Sequence, residues 1–133
     1  MTSSPLVRRL QATLPALGAA VAGDQVVGEA PFAGTVTSCT FTPEAAITGA
    51  TATARTLTLV NKGQAGAGTT VVATLAYITS VNGVAFDEQD FTLSAVPGAT
   101  TVAEGDILVV AEAVAGAGTA NPGGNIAVEI SRA

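Results

Sequence analysis

The sequence predicts an all-β fold: a single antiparallel β-sandwich, jelly-roll-like, of about seven or eight strands with an N-terminal arm or short helix. From Asp24 onward, alternating apolar and polar runs are separated by Gly, Pro, Asn and Asp at intervals of about 8–12 residues. Hydrophobic residues make up 48% of the chain but aromatic residues only 4%, which favours thin packing between sheets over a bulky helical core. A length of 133 residues suits one domain. We therefore predict an arm over residues 1–23 and a sandwich over residues 24–133.

Residues 1–23 are the one segment with helical spacing. The leucines that follow one face of such a helix are Leu6, Leu10, Leu14 and Leu17. Pro15 limits the segment to a short helix or an extended arm. The arginines, the apolar stretch and the small residues 20–22 also resemble a secretory signal with its cleavage site, although Gln11, Thr13 and Pro15 interrupt the apolar region.

Seven segments of the remaining chain have strand patterns. They lie at residues 25–29, 35–43, 54–62, 71–79, 91–94, 106–115 and 125–131. We expect the third and fourth to pair as a hairpin across a glycine-rich loop. In the second strand, alternation places Thr35, Thr37, Cys39 and Phe41 on one face. In the last strand, alternation places Ile126, Val128 and Ile130 on one face, opposite Ala127 and Glu129.

The glycine-rich loop, GQAGAGTT at residues 63–70, resembles a phosphate-binding loop. The pattern G-x-x-x-x-G-K-[ST] is matched except that Thr69 stands where the lysine should be. The residues that follow have a β pattern, whereas a phosphate loop needs a helix there. The stretch therefore predicts a hairpin loop without nucleotide binding. Its AGAGT core recurs at residues 115–119, and we expect two equivalent hairpin loops at one end of the sandwich.

The residues that most enzymes and metal sites use are scarce. The chain has no histidine, and its single cysteine, Cys39, is expected to be a small buried hydrophobe. Asp87, Glu88 and Asp90 form the one acidic cluster, but their spacing lacks the D-x-D-x-D-G pattern of a calcium loop, so we expect a solvated turn. These observations predict a protein that is not an enzyme and that uses no cofactor and no metal.

Charge and hydropathy exclude further classes of partner. The net charge is −5, and after Arg8 and Arg9 the chain carries three basic against ten acidic residues. An acidic body repels nucleic acid, so direct binding of DNA or RNA is not expected. The sequence contains no apolar run of the ~18 residues that a membrane span needs.

Three stretches of the chain resemble small virion proteins of tailed bacteriophages. They are APFAGTVTSCTFTPEAAITGATATARTLTLVNKGQAGAGTTVVATLAY, VAEGDILVV and NPGGNIAVEI. They resemble in particular a family encoded among the head genes of phages of actinobacteria and other bacteria, and the resemblance covers about residues 30–130. It implies a structural protein, most commonly a capsid decoration or cement protein. The arm is the part that the resemblance covers least.

This resemblance implies that the chain binds the major capsid protein on the outside of a tailed-phage capsid, as a homotrimer made in the host cytoplasm, and that it takes no small-molecule substrate. For the contact itself we predict that the N-terminal arm anchors the domain through five residues. They are Leu6, Arg8, Arg9, Leu10 and Leu14. An apolar arm with two arginines could lie along the shell and add a strand or helix to a capsid edge.

An alternative prediction is a receptor- or carbohydrate-binding module of a head fibre, tail fibre or baseplate. Loops such as 63–69 and 116–124 would then form the recognition surface. These loops consist of small and polar residues, whereas sugar-binding surfaces favour stacking aromatic rings. A secreted bacterial adhesin domain is a third possibility, which depends on the signal-like N-terminus.

Overall fold

The computed structural model describes residues 6–133, which form two antiparallel sheets packed as a sandwich. The strands are β1 (Val7–Leu14), β2 (Gly23–Glu29), β3 (Gly34–Pro43), β4 (Arg55–Asn61), β5 (Thr70–Tyr77), β6 (Gln89–Asp90), β7 (Thr92–Leu93), β8 (Thr101–Val102), β9 (Ile107–Val114) and β10 (Gly124–Arg132). The sandwich prediction is confirmed, with ten strands in the described residues rather than seven or eight. The additional strands are β1 and the two-residue β6 and β8.

The strands alternate between the two sheets. The first sheet has the order β1-β10-β3, and β6 and β8 share the far edge of β3; the second has the order β2-β9-β4-β5-β7. The predicted hairpin of β4 and β5 is confirmed, with Leu57 opposite Leu75. Every other connection between successive described strands crosses from one sheet to the other. The edge strands β1 and β2 lie side by side, and the Leu10 side chain packs over Gly28.

The connections collect at the two ends of the sandwich. One end is marked by Leu14, Pro43 and Gly124, which are neighbours in the register of the first sheet. This end, here called the arginine end because Arg55 lies there, carries the connections 15–22, 44–54, 78–88 and 115–123. The opposite end, here called the hairpin end, carries the connections 30–33, 62–69, 94–100 and 103–106.

The core lies between the sheets and is built by alternate side chains. Ile126, Val128 and Ile130 are fully buried, which confirms the predicted face of the last strand. From the second sheet, Leu57 and Leu59 are equally buried. Cys39 is buried as predicted, and desolvation raises the pKa of its thiol to about 12.

The helix alternative for the N-terminal segment is wrong, because residues 7–14 form the extended strand β1. This strand pairs with β10 along its whole length. Leu6, Leu10 and Leu14 are four residues apart, and that spacing satisfies both one face of a helix and alternate positions of a strand. Pairing with the open edge of β10 decides in favour of the strand. Residues 1–5 of the predicted arm lie outside the described residues.

The predicted shared face of the second strand is also wrong, because β3 contains a bulge. Glu129 lies opposite Ser38 and Ile130 opposite Val36, so Thr37 is an extra residue. The bulge shifts the alternation by one position. Val36 is therefore buried before the bulge and Cys39 after it, whereas Thr35 and Thr37 are exposed.

The two AGAGT segments lie at opposite ends of the sandwich, which contradicts the prediction of equivalent hairpin loops at one end. Residues 65–69 belong to the β4–β5 hairpin, whereas residues 115–119 begin the crossing from β9 to β10. The strand β9 runs antiparallel to β4, so the chain leaves the two strands at opposite ends.

Candidate functional site

The three predicted anchor leucines are used mainly for folding. Leu14 is 1% exposed and belongs to the core. Leu6 and Leu10 are partly buried and pack against the core, Leu10 over Gly28 of the neighbouring edge strand. Leu10 and Leu14 thus point into the sandwich from inward positions of the edge strand β1, and Leu6 packs on the core just before the strand begins.

The two predicted anchor arginines are exposed on the same strand. Arg9 donates from Nη2 to Glu129 Oε1 on the adjacent β10 at 2.7 Å. Arg8 donates from Nη1 to the Val7 carbonyl at 3.3 Å. The structure therefore separates the five predicted residues into leucines that stabilise the fold and arginines that face solvent.

A buried polar cluster at the arginine end was not predicted. Arg55 is 0% exposed and donates from Nη1 to Glu112 Oε1 at 3.0 Å. Asn121, also buried, donates from Nδ2 to the same carboxylate oxygen at 2.7 Å. The carboxylate thus accepts from two side chains and is compensated within the protein, as a buried charge requires.

The same guanidinium group holds two connections that cross between the sheets. Its Nη2 donates to the Gly18 and Val21 carbonyls at 2.9 Å each, and its Nε donates to the Thr119 carbonyl at 2.6 Å. Arg55 therefore joins the β1–β2 connection and the β9–β10 connection to the second sheet. This cluster is a rigid support for the loops of the arginine end.

The alternation of the sequence contains a signal for this cluster. Arg55 is in phase with Leu57 and Leu59, and Glu112 is in phase with Leu108 and Val110. Opposite charges on the inward faces of two strands indicate a buried ion pair when those strands are neighbours. Only the structure shows that β4 and β9, which carry Arg55 and Glu112, are neighbouring strands.

The most exposed large apolar side chain in the described residues lies in the connection 78–88, here called the Phe86 loop. Phe86 is 80% exposed, and its φ of 63° lies in the left-handed region that residues other than glycine rarely adopt. Val84 and Ile78 in the same loop are 58% and 41% exposed. Three exposed large apolar side chains on one loop make this loop a candidate contact surface.

Hydrogen bonds hold the Phe86 loop to the rest of the arginine end. The Phe86 N–H donates to the Pro43 carbonyl at 2.8 Å, and Gly83 and Ile47 exchange backbone hydrogen bonds at 2.8 and 3.0 Å. Gln89 accepts from the Tyr77 hydroxyl at 2.6 Å and donates to the loop at the Asn82 carbonyl. The aromatic ring is therefore presented on a constrained backbone.

The arginine end carries acidic residues around the Phe86 loop, whereas the exposed basic residues lie at the hairpin end together with further acidic ones. Asp87 and Glu88 follow Phe86 in the sequence, and Glu44 follows Pro43, which accepts the Phe86 N–H; all three are exposed. The predicted acidic cluster is exposed to solvent, but Asp90 belongs to strand β6 and not to a turn. The basic residues other than the buried Arg55 are Arg8, Arg9, Lys62 and Arg132, and these lie at or near the hairpin end. The Phe86 loop is thus an apolar surface with an acidic border, which suits a partner with a basic border.

Sequence patterns indicated the exposure of the acidic residues but missed Phe86. The available signal was a large aromatic residue within a segment of turn-forming and charged residues, where no strand could bury it.

Within residues 6–133, no helix has the length and hydropathy of a membrane span. Comparison with known proteins finds no matching family model, no matching curated protein and no matching solved structure.

Proposed function

We propose that this chain is a non-enzymatic structural protein of a tailed-phage virion, which binds the outside of the capsid and reinforces it. The observation that carries this proposal is the Phe86 loop, an exposed apolar contact surface on a constrained backbone. A ring presented in this way loses little conformational entropy when a partner covers it. The resemblance of residues 30–130 to phage virion proteins supports the choice of partner.

In this proposal the arginine end faces the major capsid protein. The Phe86 ring enters an apolar pocket of the shell, and Asp87 and Glu88 meet basic groups at the border of that pocket. This contact replaces the predicted anchor on the arm, because Leu14 is a core residue and Leu6 and Leu10 pack on the domain itself. We propose that the chain acts as a homotrimer on the capsid surface and binds no cofactor, nucleic acid, membrane or small-molecule substrate.

Replacing Phe86 with serine tests this contact. Truncation of a buried aromatic anchor costs about 2 kcal/mol or more, which raises the dissociation constant roughly 30-fold. The measurement is co-sedimentation of the purified variant with capsids that lack the protein. The matched control is Val96→Ser, since Val96 is 66% exposed but lies at the hairpin end.

We expect the Val96→Ser variant to bind these capsids as the native protein does. Failure of the native protein to bind would refute the capsid as partner. Equal binding by the native protein and Phe86→Ser would support the capsid as partner but refute the Phe86 loop as the contact.

The exposed ring also supports the carbohydrate-binding alternative. Aromatic rings stack on sugars, and beside the loop lies an open groove of about 530 Å³. The groove is lined by Thr74, Leu75, Ala76, Val81, Gln89, Asp90 and Thr92. Phe86→Leu discriminates between the two functions, because an apolar pocket accepts leucine but a sugar needs the ring face. Glycan-array binding that Phe86→Leu abolishes would favour the alternative.

A further inference from the structure

The two sheets expose long edges on the same side of the sandwich. β1 is the terminal strand of the first sheet and β2 of the second, and the two strands pack side by side. They have eight and seven residues, whereas β6, β7 and β8 at the other side have two each. A long edge strand offers unpaired backbone groups to another strand.

The free backbone groups of β1 follow from its register with β10. Arg132 N–H donates to the Leu6 carbonyl, so β1 residues with even numbers direct their backbone groups toward β10. The alternate residues Val7, Arg9, Gln11 and Thr13 therefore direct theirs away from the sheet. No register shift interrupts this strand, so these groups can pair with one neighbour once the exposed Arg8 side chain releases the Val7 carbonyl.

The two edges carry opposite charges. β1 contains Arg8 and Arg9 and no acidic residue, whereas β2 contains Asp24 and Glu29 and no basic residue. The ion pairs of residues 6–133 are Arg9–Glu129 and Arg55–Glu112. Arg8, Asp24 and Glu29 thus have no oppositely charged partner in the described part of the chain.

We propose that β1 of one copy pairs antiparallel with β2 of a second copy, so that the first sheet of each copy continues into the second sheet of its neighbour. Arg9 then lies at the level of the second copy's Glu29, and Arg8 one position beyond it, because Leu10 packs over Gly28 within one copy. The bulge at Val27 shifts the alternation of β2 by one position, so Gln11 pairs with the second copy's Val26, and the charged groups set the register. Pairing β1 with β1 would instead place like charges together.

This pairing determines how the copies are oriented. β1 and β2 run in opposite directions within one copy, so antiparallel pairing of β1 with a second β2 requires a rotation axis parallel to the strands. Two or three copies can close around such an axis, and all their Phe86 loops then point the same way. The pairing does not depend on the capsid as partner, although it brings several Phe86 loops onto one surface.

Replacing Gln11 with proline tests the edge. Gln11 is exposed and its N–H points away from β10, so proline removes a group needed by a second copy without breaking the β1–β10 ladder. Sedimentation velocity should show assemblies of two or three chains for the native protein and for the control Gln11→Ala. The dissociation constant of Gln11→Pro should rise about tenfold or more.

Charge exchange tests the proposed partner strand. Arg9→Glu and Glu29→Arg should each weaken the assembly about tenfold, and the double variant should restore it. A native protein that stays monomeric at all concentrations would overturn the proposal. It would also be overturned if native-like assemblies formed with Gln11→Pro, or with both single charge variants, provided that circular dichroism shows each variant to be folded.

Discussion

The same five residues, AGAGT, form two different loops at opposite ends of this molecule. At the hairpin end, residues 65–69 join two neighbouring strands, and the αL residue Gly66 has open space around it. At the arginine end, residues 115–119 cross between the sheets, and Gly118 lies against the Ala19 backbone. A glycine-rich sequence therefore takes its conformation from the segments that surround it.

The two loops differ physically because the buried Arg55 guanidinium group binds the loop at residues 115–119 and not the loop at residues 65–69. The Arg55 guanidinium group donates to the Thr119 carbonyl at 2.6 Å, and the Thr119 hydroxyl donates to the Thr53 carbonyl at 2.7 Å. These two hydrogen bonds fix the position of Thr119. The hairpin loop is instead tied by Gln64, which donates to the Glu104 carbonyl at 2.9 Å from an exposed side chain. A buried charged donor holds a loop more strongly than an exposed neutral one.

Arg55→Ala should have the largest effect, because it leaves Glu112 buried without its cation. The expected loss is about 3–5 kcal/mol of unfolding free energy, measured by urea denaturation. Hydrogen exchange should accelerate at residues 115–119 and remain unchanged at residues 65–69. The double variant Arg55→Met with Glu112→Leu removes both charges and should lose less stability; a double variant as unstable as Arg55→Ala would contradict this account.

Gly118→Ala should have the next largest effect. Its φ of 76° strains any residue with a Cβ atom, and that atom would overlap the Ala19 carbonyl oxygen. We expect a loss of more than about 2 kcal/mol, since the backbone must move as well as adopt a left-handed conformation. Thermal unfolding of the purified variant measures this loss.

Gly66→Ala is the matched change in the other AGAGT segment. Gly66 has a φ of 81° but nothing within 4 Å of a Cβ atom, so only the conformational cost of about 1 kcal/mol applies. Equal losses for the two alanine variants would show that the surroundings of the loops do not matter.

The smallest expected effect concerns pH at the hairpin end. Asp106 accepts hydrogen bonds from the Ala103 N–H and from Asn61 Nδ2, each at 2.9 Å, and these bonds lower the pKa of its carboxyl group. Its contribution to stability is therefore present above the unfolded pKa of about 3.9 and is lost as the pH falls from there through the lower folded pKa.

Asp106→Asn should consequently lose less stability than native protein when the pH is lowered through this range. Urea midpoints at neutral and acidic pH measure the difference. Asp87→Asn is the control, because Asp87 is exposed in the Phe86 loop. An identical pH dependence for Asp106→Asn and the native protein would exclude this role.

Alternation along single strands was sufficient to predict most of the sandwich. The hairpin of β4 and β5 and the buried face of Ile126, Val128 and Ile130 followed from local patterns. Alternation failed at Thr37, because a bulge depends on the register with a partner strand. It also left residues 6–14 ambiguous, since leucines four apart fit both a helix and a strand.

The candidate site was less predictable than the fold. Phe86 and its acidic neighbours are adjacent in the sequence, but the backbone that carries the ring is bonded to Pro43, more than 40 positions earlier in the chain. Arg55 and Glu112 are 57 positions apart, and only the pairing of β4 with β9 brings them together. The sequence singled out the leucines of the arm as apolar residues on one face, but it did not show that Leu6, Leu10 and Leu14 pack on the domain itself.

Local patterns established the β class, the positions of most strands along the chain, the hairpin and the exposure of the acidic residues, because alternation and turn residues act over a few positions. Contacts between distant segments decided which sheet each strand joins, the direction of the Phe86 side chain and the burial of Arg55. They also decided that β1 completes the first sheet and that two identical pentapeptides adopt different conformations. The physical reason is that burial and hydrogen bonding are satisfied by neighbours in space, and in this fold those neighbours come mostly from the other sheet or from distant strands.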